Sequence, residues 1–156
     1  MKPSVLILHN IRSVHNVGSI FRTADAAGVS YIILSGYTPA PIDRFGKERK
    51  DFIKVSLGAE KNVPWTVVKE ITPSLIRLRK EGYTLLALEQ NTRAIPLFEY
   101  KTKKPFALVL GNEVRGIASQ TLKRMDTILE IPMHGEKESL NVSVAAGIAL
   151  FTLVHM

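Results

Sequence analysis

The stretch Ile131-Pro-Met-His-Gly-Glu-Lys-Glu-Ser-Leu-Asn-Val-Ser-Val-Ala-Ala-Gly-Ile148 passes from the end of an apolar strand, through a polar loop, into an apolar helix. Asn141 is placed to cap this helix by accepting a hydrogen bond from one of its first free N–H groups, and Ser139 and Ser143 add hydroxyls at the same end. The stretch therefore predicts a binding loop held between two rigid elements. An ordinary polar loop before a buried terminal helix is the alternative.

The helix that follows Asn141 is apolar on nearly all sides. One face repeats apolar residues at the i, i+3, i+4, i+7 spacing, and the opposite side adds more. In a chain this short, we expect another copy of the protein to cover the second side. Gly147 costs about 1 kcal/mol relative to alanine in a helix interior, which close helix packing would explain. The apolar residues are Val142, Ala145, Ala146, Ala149, Leu150 and Leu153 on the first face, and Ile148, Phe151 and Val154 opposite.

The length and composition are those of one globular domain. The chain has 156 residues, of which 46% are hydrophobic and 22% are charged. No apolar run approaches the length of a membrane span, and the first residues lead into a strand rather than into the apolar core of a signal peptide. We therefore expect a cytoplasmic protein whose residues 1–156 form a single domain, with no appended domain.

The sequence gives no support to a metal site, whereas its charge favours an anionic partner. The chain has no cysteine, which excludes disulfides and thiolate metal sites, and its four histidines lack metal-ligand spacing. The formal net charge of +7 favours nucleic acid as the partner, ahead of a membrane surface. A charged surface that binds only water is the alternative.

Strand and helix patterns alternate along the chain, which predicts an α/β fold with a mostly parallel sheet and helices on both faces. Ser4–His9 has the continuous apolar pattern of a buried strand. Asn16 is expected to cap a helix that runs to about Ala27, and Tyr31–Ser35 is the second predicted strand. Further strands are predicted at Val63–Val68, Tyr83–Glu89, Phe106–Leu110 and Thr127–Ile131, and further helices at 72–82 and near 119–125.

Residues 111–117 form a glycine-bracketed loop directly after a buried strand. The loop matches neither Gly-x-Gly-x-x-Gly nor a loop that ends in Gly-Lys-Ser/Thr, so a phosphate-cradling loop is disfavoured. Ligands of open α/β sheets collect at the carboxyl ends of strands. We therefore expect a ligand site at the loops after Leu88, Leu110 and Ile131.

Three stretches, Asn16–Ala24, Leu110–Gly116 and Ile131–Gly147, resemble in order and spacing the three signature motifs of the SpoU (TrmH) family of RNA ribose 2'-O-methyltransferases, in the SPOUT superfamily. The resemblance covers nearly the whole chain. Ser19 stands where alanine is common and Val114 where glycine is common, and neither difference removes a functional group.

The resemblance implies a C-terminal trefoil knot, threaded from the last three strand-end loops, that holds S-adenosylmethionine in a bent conformation. Sequence order alone would predict an unknotted sheet, because knots are rare. Ile131 and Leu140 would flank the adenine. The residues implied to bind the cofactor are Leu88, Glu89, Gly111, Asn112, Gly116, Ile131, Met133, Ser139 and Leu140.

Arg22 is the catalytic candidate that the resemblance implies. An arginine stays protonated at any ordinary pH and is therefore a poor base. Our hypothesis is that Arg22 organises the acceptor ribose and its phosphate and stabilises developing oxyanion character. The resemblance also implies a homodimer packed through the first and last helices, in which Arg22 acts in its own subunit or across the interface. Residues expected to orient Arg22 and the hydroxyl are Asn16, Glu113, Ser139 and Asn141.

The segment from Gly36 to Ala59 combines basic and aromatic residues with weak periodicity. Basic side chains neutralise phosphates and exposed aromatic rings stack on unpaired bases, so we predict that this segment faces RNA. A solvated surface loop with one anchored phenylalanine is the alternative. The candidate RNA contacts are Arg44, Lys47, Arg49, Lys50, Lys54 and Arg115, with Phe45 and Phe52 as the aromatic residues.

The predicted function is methylation of a ribose 2'-hydroxyl in tRNA or rRNA with S-adenosylmethionine. A catalytically silent RNA-binding or assembly protein with the same fold is the first alternative, and an intact set of motif residues argues against it. An enzyme that acts on a phosphorylated small molecule is the second alternative, disfavoured by the missing phosphate loop.

Overall fold

The computed structural model describes residues 1–156 as one seven-stranded sheet in the order β3-β2-β1-β6-β4-β7-β5. Every pair of neighbouring strands is parallel. The predicted α/β architecture is therefore confirmed. The strands are β1 Ser4–His9, β2 Tyr31–Ser35, β3 Trp65–Val68, β4 Thr84–Leu88, β5 Ile95–Pro96, β6 Phe106–Leu110 and β7 Thr127–Glu130. The helices are α1 Val14–Ala27, α2 Lys50–Ser56, α3 Ala59–Asn62, α4 Thr72–Lys80, α5 Ser119–Leu122 and α6 Val142–His155, with a 3-10 turn at Leu97–Glu99.

Alternation of side chains along the central strands divides the core into two layers. Leu6 and Leu8 of β1 pack with α1, α2 and α6 on one face of the sheet. Val5 and Ile7 of the same strand pack with α4 and α5 on the other face. Because both faces are covered, the strands are apolar throughout, as is typical of parallel sheets. None of the helices combines the length and the hydropathy needed to span a bilayer.

The first helix begins earlier than predicted, and Asn16 does not cap it. The N-cap is Ser13, whose hydroxyl accepts a hydrogen bond from the backbone N–H of Asn16 at 3.1 Å. Serine and asparagine cap equally well, so the pattern alone did not separate them. The capping role of Ser13 leaves the side chain of Asn16 free for other contacts. In α6, Asn141 is the N-cap as predicted, and its Oδ1 accepts from the N–H of Ser143 at 2.9 Å.

The segment 36–59 is partly helical. Leu57 and Gly58 adopt left-handed backbone conformations, with φ of 52° and 89°, and separate α2 from α3. Phe52 is fully buried and its ring meets Phe21 edge-on at 5.1 Å, so it belongs to the core and is not available for RNA. Phe45 is 74% exposed. The α2 and α3 helices are too short for periodicity to reveal them.

In the second half of the chain, one predicted helix is shorter than expected and one short strand was not predicted. The helix near 119–125 is shorter than predicted, since α5 ends at Leu122. The two-residue strand β5 was not predicted, because two residues carry no periodic signal. The trefoil knot that the resemblance implies stays a prediction.

Gly147 lies where α6 faces α1. A Cβ at this position would meet only Thr23 Cγ2, at the ordinary contact distance of 3.6 Å. Packing within the chain therefore does not require this glycine, and close packing of α6 against another copy stays a prediction. We expect Gly147→Ala to stabilise the chain by about 1 kcal/mol, the difference in helix propensity, in urea unfolding at low protein concentration.

Gly18 provides the comparison for that measurement. A Cβ at Gly18 would lie 3.0 Å from the backbone oxygen of Phe52 and 3.2 Å from Val55 Cβ, where α1 crosses α2. Gly18→Ala should therefore destabilise the chain by about 1–3 kcal/mol through overpacking. Equal losses of stability in both variants would contradict the geometry at Gly147.

Candidate active site

The carboxyl ends of β4, β6 and β7 meet the start of α6 at a cavity of about 630 Å³. This volume is in the usual range for small-molecule sites. Every residue predicted to bind a cofactor lines the cavity, and so do four of the five predicted catalytic residues. These lining residues are Leu88, Glu89, Gly111, Asn112, Gly116, Ile131, Met133, Ser139 and Leu140, together with Asn16, Glu113 and Asn141.

The loop between β6 and α5 closes tightly on its two glycines. A Cβ at Gly111 would lie 2.8 Å from the backbone carbonyl group of Gly116 and 2.5 Å from Ile117 Cγ1. Gly116 has a φ of 66°, and a Cβ there would lie 2.2 Å from Glu89 Oε2. The same Glu89 oxygen accepts a hydrogen bond from the Ile117 N–H at 2.8 Å. Glycine is thus required at both positions for the loop to lie against the end of β4.

Asn112 connects this loop to two others. Its Nδ2 donates to the Asn10 carbonyl at 2.9 Å and to the Tyr37 hydroxyl at 3.0 Å. Its Oδ1 accepts from the N–H groups of Val114, at 2.9 Å, and Arg115, at 2.8 Å. An asparagine side chain offers two donors and two acceptor positions, and all are occupied. Asn112 lines the cavity, but its side chain holds the loop and only its backbone is left for a ligand.

Glu113, Asn16 and Asn141 join three elements at the mouth of the cavity. The Glu113 carboxylate accepts from the N–H groups of Arg12 and Ser13 at 3.1–3.2 Å, which anchors the start of α1. Asn141 Nδ2 donates to Asn16 Oδ1 at 3.2 Å, which joins the start of α6 to α1. Ser139 is exposed beside this group. The arrangement presents amide, hydroxyl and carboxylate groups at one edge of the cavity.

The wall of the cavity is acidic. It includes four glutamates and no lysine, arginine or histidine, in a chain whose formal net charge is +7. Such a wall disfavours a phosphorylated ligand and favours a ligand that carries positive charge. The glutamates are Glu89, Glu113, Glu130 and Glu138.

Arg22 does not lie with the other predicted catalytic residues. It is exposed on α1 and lines a separate groove between α1 and α2, with His15, Asp51 and Lys54. Asn16 and Arg22 are six residues apart, and six steps around a helix place them about 120° from each other. One helix therefore points Asn16 into the cavity and Arg22 away from it.

The predicted RNA contacts are not gathered in one place. Arg115 is exposed on the loop beside the cavity, and Lys54 lies in the groove of Arg22. Arg44 stacks over the Phe45 ring at 4.8 Å, and Arg49 pairs with Asp51 at 3.1 Å. Lys47 and Lys50 are exposed. No group of three or more potential metal ligands is present.

A model of the SpoU rRNA methylase family matches residues 3–151. The chain belongs to the SpoU family. Residues 16–24, 110–116 and 131–147, which carried the resemblance, all lie within the match, and the predicted family is confirmed.

Relatives of this SpoU chain include enzymes named for rRNA. It is 36% identical over 153 residues to the 23S rRNA (guanosine-2'-O-)-methyltransferase RlmB of Ralstonia nicotianae, covering 98% of this chain and 59% of the relative. The chain thus spans about three fifths of the curated relative's length.

Two solved structures of SpoU relatives superpose closely. The AdoMet-bound rRNA methyltransferase of Sinorhizobium meliloti has a TM-score of 0.85 at 29% identity, over 96% of this chain and 55% of that one. The TrmH/SpoU tRNA modifying enzyme of A. aeolicus has a TM-score of 0.84 at 29% identity, over 97% of this chain and 74% of that one. The fold of this SpoU chain is therefore that of its relatives.

Sequence reasoning missed three contributors to the SpoU site. Tyr37 and Asn10 hold Asn112, and Ser13 holds Glu113 and caps α1. Asn10 adopts a φ of 55°, a conformation in which asparagine is enriched. The one signal in the sequence for the contact between Asn10 and Asn112 was the position of Asn10 directly after a buried strand.

Glu113 gives the SpoU site a pH-dependent contribution to stability. Burial would raise the pKa of Glu113, but hydrogen bonds from its own N–H, from Arg12 and Ser13, and from the Asn16 side chain hold this pKa below its ordinary value of 4.5. A lowered pKa stabilises the fold above the unfolded value and loses that effect as pH falls through the folded value. We expect Glu113→Gln to lower the free energy of unfolding at neutral pH. The difference from wild type should disappear at a pH low enough to protonate the Glu113 carboxyl in both the folded and the unfolded protein.

The measurement is urea unfolding of both proteins from neutral pH down to about pH 3. Glu70→Gln is the matched control, since Glu70 is exposed and forms neither a hydrogen bond nor an ion pair through its side chain. If the difference in the free energy of unfolding between wild type and Glu113→Gln stayed constant over this range, the pKa of Glu113 would not be lowered in the folded protein.

Proposed function

We propose that this SpoU protein transfers a methyl group from S-adenosylmethionine to a ribose 2'-hydroxyl of tRNA or rRNA. The observation that carries the proposal is the cavity of about 630 Å³ at the ends of β4, β6 and β7, with its acidic wall. S-adenosylmethionine carries a positively charged sulfonium and an ammonium group. An acidic wall attracts these groups, whereas the basic wall of a phosphate-binding site would repel them. The names of the rRNA-methylating and AdoMet-bound relatives support the same chemistry.

The residues present fit such a cofactor. Ile131 is buried and Leu140 is 40% exposed on the cavity wall, which offers apolar surface for a flat adenine. Gly111 has no side chain to keep a ligand from the backbone at the end of β6. When bound, S-adenosylmethionine supplies an electrophilic methyl group on a positively charged sulfur.

The polar group at the mouth of the cavity would position the acceptor ribose. Ser139 and Asn141 present a hydroxyl and an amide there. Glu113 is a poor general base, because its pKa is held below its ordinary value and its oxygens already accept two backbone hydrogen bonds. We assign Glu113 a positioning role, and catalysis to orientation of the hydroxyl together with electrostatic stabilisation by Arg22.

A homodimer would bring Arg22 to a cavity. Val144, Ile148, Phe151 and His155 form one stripe along α6, and Val144 and Phe151 are 51% and 42% exposed. A second copy would cover this stripe, and α1 of that copy could then place its Arg22 at the cavity of the first. The position of Arg22 outside its own cavity supports action across the interface.

The proposed dimer can be tested by introducing a negative charge into the apolar stripe of α6. We expect Phe151→Glu to convert a dimer into a folded monomer in light scattering, because a buried unpaired carboxylate is costly at an interface. Phe45→Glu is the matched control, since Phe45 is 74% exposed and lies far from the stripe in sequence. A monomeric wild type at micromolar concentration with full activity would overturn the dimer.

The test of function is transfer of label from methyl-labelled S-adenosylmethionine into total tRNA and total rRNA, followed by alkaline hydrolysis. Methylation of the 2'-oxygen blocks cleavage of the next linkage, so we expect label in alkali-resistant dinucleotides. Label in alkali-released mononucleotides would place the methyl on a base and overturn ribose methylation. Bound cofactor with no transfer to either pool would favour the silent RNA-binding protein.

A further inference from the structure

The positive charge of this chain is concentrated along the side of the sheet where the amino ends of four adjacent strands lie. Four segments that precede β1, β4, β6 and β7 contain nine lysines and arginines and two acidic residues, Glu81 and Asp126. The rest of the chain is balanced, with twelve basic and twelve acidic residues. We call the nine residues the basic edge: Lys2, Arg77, Arg79, Lys80, Lys101, Lys103, Lys104, Lys123 and Arg124.

The sheet order places these segments side by side. Ser4 and Thr84 both pair with Phe106, so the chain entering β1, β6 and β4 lies at one level. Asp126 N donates to the Leu85 carbonyl at 2.8 Å, which brings the entry to β7 to the same level. Neighbouring strands are about 4.8 Å apart, so the segments span about 14 Å across four strands.

Most of the basic edge has no acidic partner. Arg77 pairs with Glu81 at 3.9 Å and Arg79 with Asp126 at 2.9 Å. The other seven form no ion pair, and all of these except the half-buried Lys2 are exposed. Unpaired like charges at this spacing repel one another, and a polyanion laid across them relieves that repulsion.

The basic edge lies at the opposite end of the strands from the cavity. A five-residue strand is about 17 Å long, so one nucleotide cannot contact both places. The segment predicted from sequence to face RNA is a weaker candidate, since its basic residues at 44–54 are accompanied by Asp43, Glu48 and Asp51 and one of them, Arg49, is already paired.

We propose that the basic edge binds phosphates of the substrate RNA at a place remote from the methylated nucleotide. This inference rests on the proposed function and adds where the RNA backbone runs. A polyanion fits better than a small anion, because the cations form a broad row and converge on no single point. Affinity for RNA through this edge is electrostatic and falls with salt.

The test compares two doubly substituted proteins that lose the same charge. Lys103→Gln with Lys104→Gln removes two exposed cations of the basic edge whose side chains form no ion pair, and Lys61→Gln with Lys69→Gln removes two exposed cations beside β3. The measured quantities are affinity for unfractionated tRNA and total rRNA against salt concentration, affinity for S-adenosylmethionine, and kcat and KM for methyl transfer.

We expect the slope of log affinity against log salt to become shallower by about 1.4–1.8 in the basic-edge variant, the value for two lost phosphate contacts, and to stay unchanged in the control. KM for RNA should rise at unchanged kcat and cofactor affinity.

Equal slopes in the two variants would overturn the proposal. The proposed function fails separately. If no protein transfers label but the slopes differ as expected, the basic edge is an RNA-binding surface on a protein without the activity. If label is transferred with equal slopes, the activity stands and the basic edge is only a solvated surface.

Discussion

Replacing Arg22 by alanine should lower kcat for methyl transfer by about a hundred- to a thousandfold, the usual cost of losing one preorganised donor at a developing oxyanion. Arg22 is assigned to the acceptor ribose and its developing oxyanion, and not to the cofactor, so affinity for S-adenosylmethionine should not change. The measurement is kcat under saturating RNA and cofactor, together with calorimetric titration of the cofactor. Arg93→Ala is a matched control, because Arg93 is exposed and makes no ion pair.

Mixing two impaired proteins decides which subunit Arg22 serves, at a cofactor concentration that saturates the wild-type cavity but not that of Gly111→Ala. If Arg22 acts across the interface, a mixed dimer of Arg22→Ala and Gly111→Ala subunits contains one complete site, and random pairing should restore about a quarter of wild-type activity. If Arg22 acts in its own subunit, no mixed dimer is complete and activity stays absent. Near-normal turnover of Arg22→Ala alone, with cofactor bound, would remove the catalytic role altogether.

Replacing Gly111 by alanine should weaken cofactor binding markedly. The added Cβ would lie 2.8 Å from backbone atoms of Gly116, which cannot move aside as a flexible side chain can. Displacing the loop should cost about 1–3 kcal/mol, the range for an overpacked core site. If the whole cost falls on binding, affinity for the cofactor drops by about fivefold to more than a hundredfold.

Gly135→Ala is the matched control for that experiment. Gly135 lies in the loop before α6, and a Cβ there would meet nothing within 4 Å. It should therefore bind cofactor like wild type. Calorimetric titration with S-adenosylmethionine measures both variants, and circular dichroism checks that Gly111→Ala stays folded. Normal affinity in Gly111→Ala would mean that the loop does not hold the ligand.

The parts of this fold that could be predicted are those in which local pattern and burial agree. β1 and β6 are continuous apolar runs because both faces of the sheet are covered, and the Asn141 cap sits directly before a long apolar helix. The Asn16 cap was wrong because Ser13, three residues earlier, caps with equal ease. Where two residues satisfy the same local rule, tertiary contacts decide between them.

Other features could not be predicted because they depend on the order of strands in the sheet. Lys2 and Lys104 are far apart in sequence and become neighbours only when β1 pairs with β6. Phe52 looked like an exposed aromatic among basic residues, yet α2 turns it onto Phe21. Arg22 belongs to the same motif as Asn16, and only the helical turn between them shows that they point to different places.

The saturated side chain of Asn112 has a consequence for local unfolding. Two of its four hydrogen bonds lie within the loop after β6, and the other two join that loop to Asn10, after β1, and to Tyr37, after β2. These three loops cannot separate without leaving a buried amide unpaired, so they should open as one cooperative unit in hydrogen exchange. A ligand that touches only Gly111 would then slow exchange at the Tyr37 amide, in a turn after β2 that contributes nothing to the cavity wall.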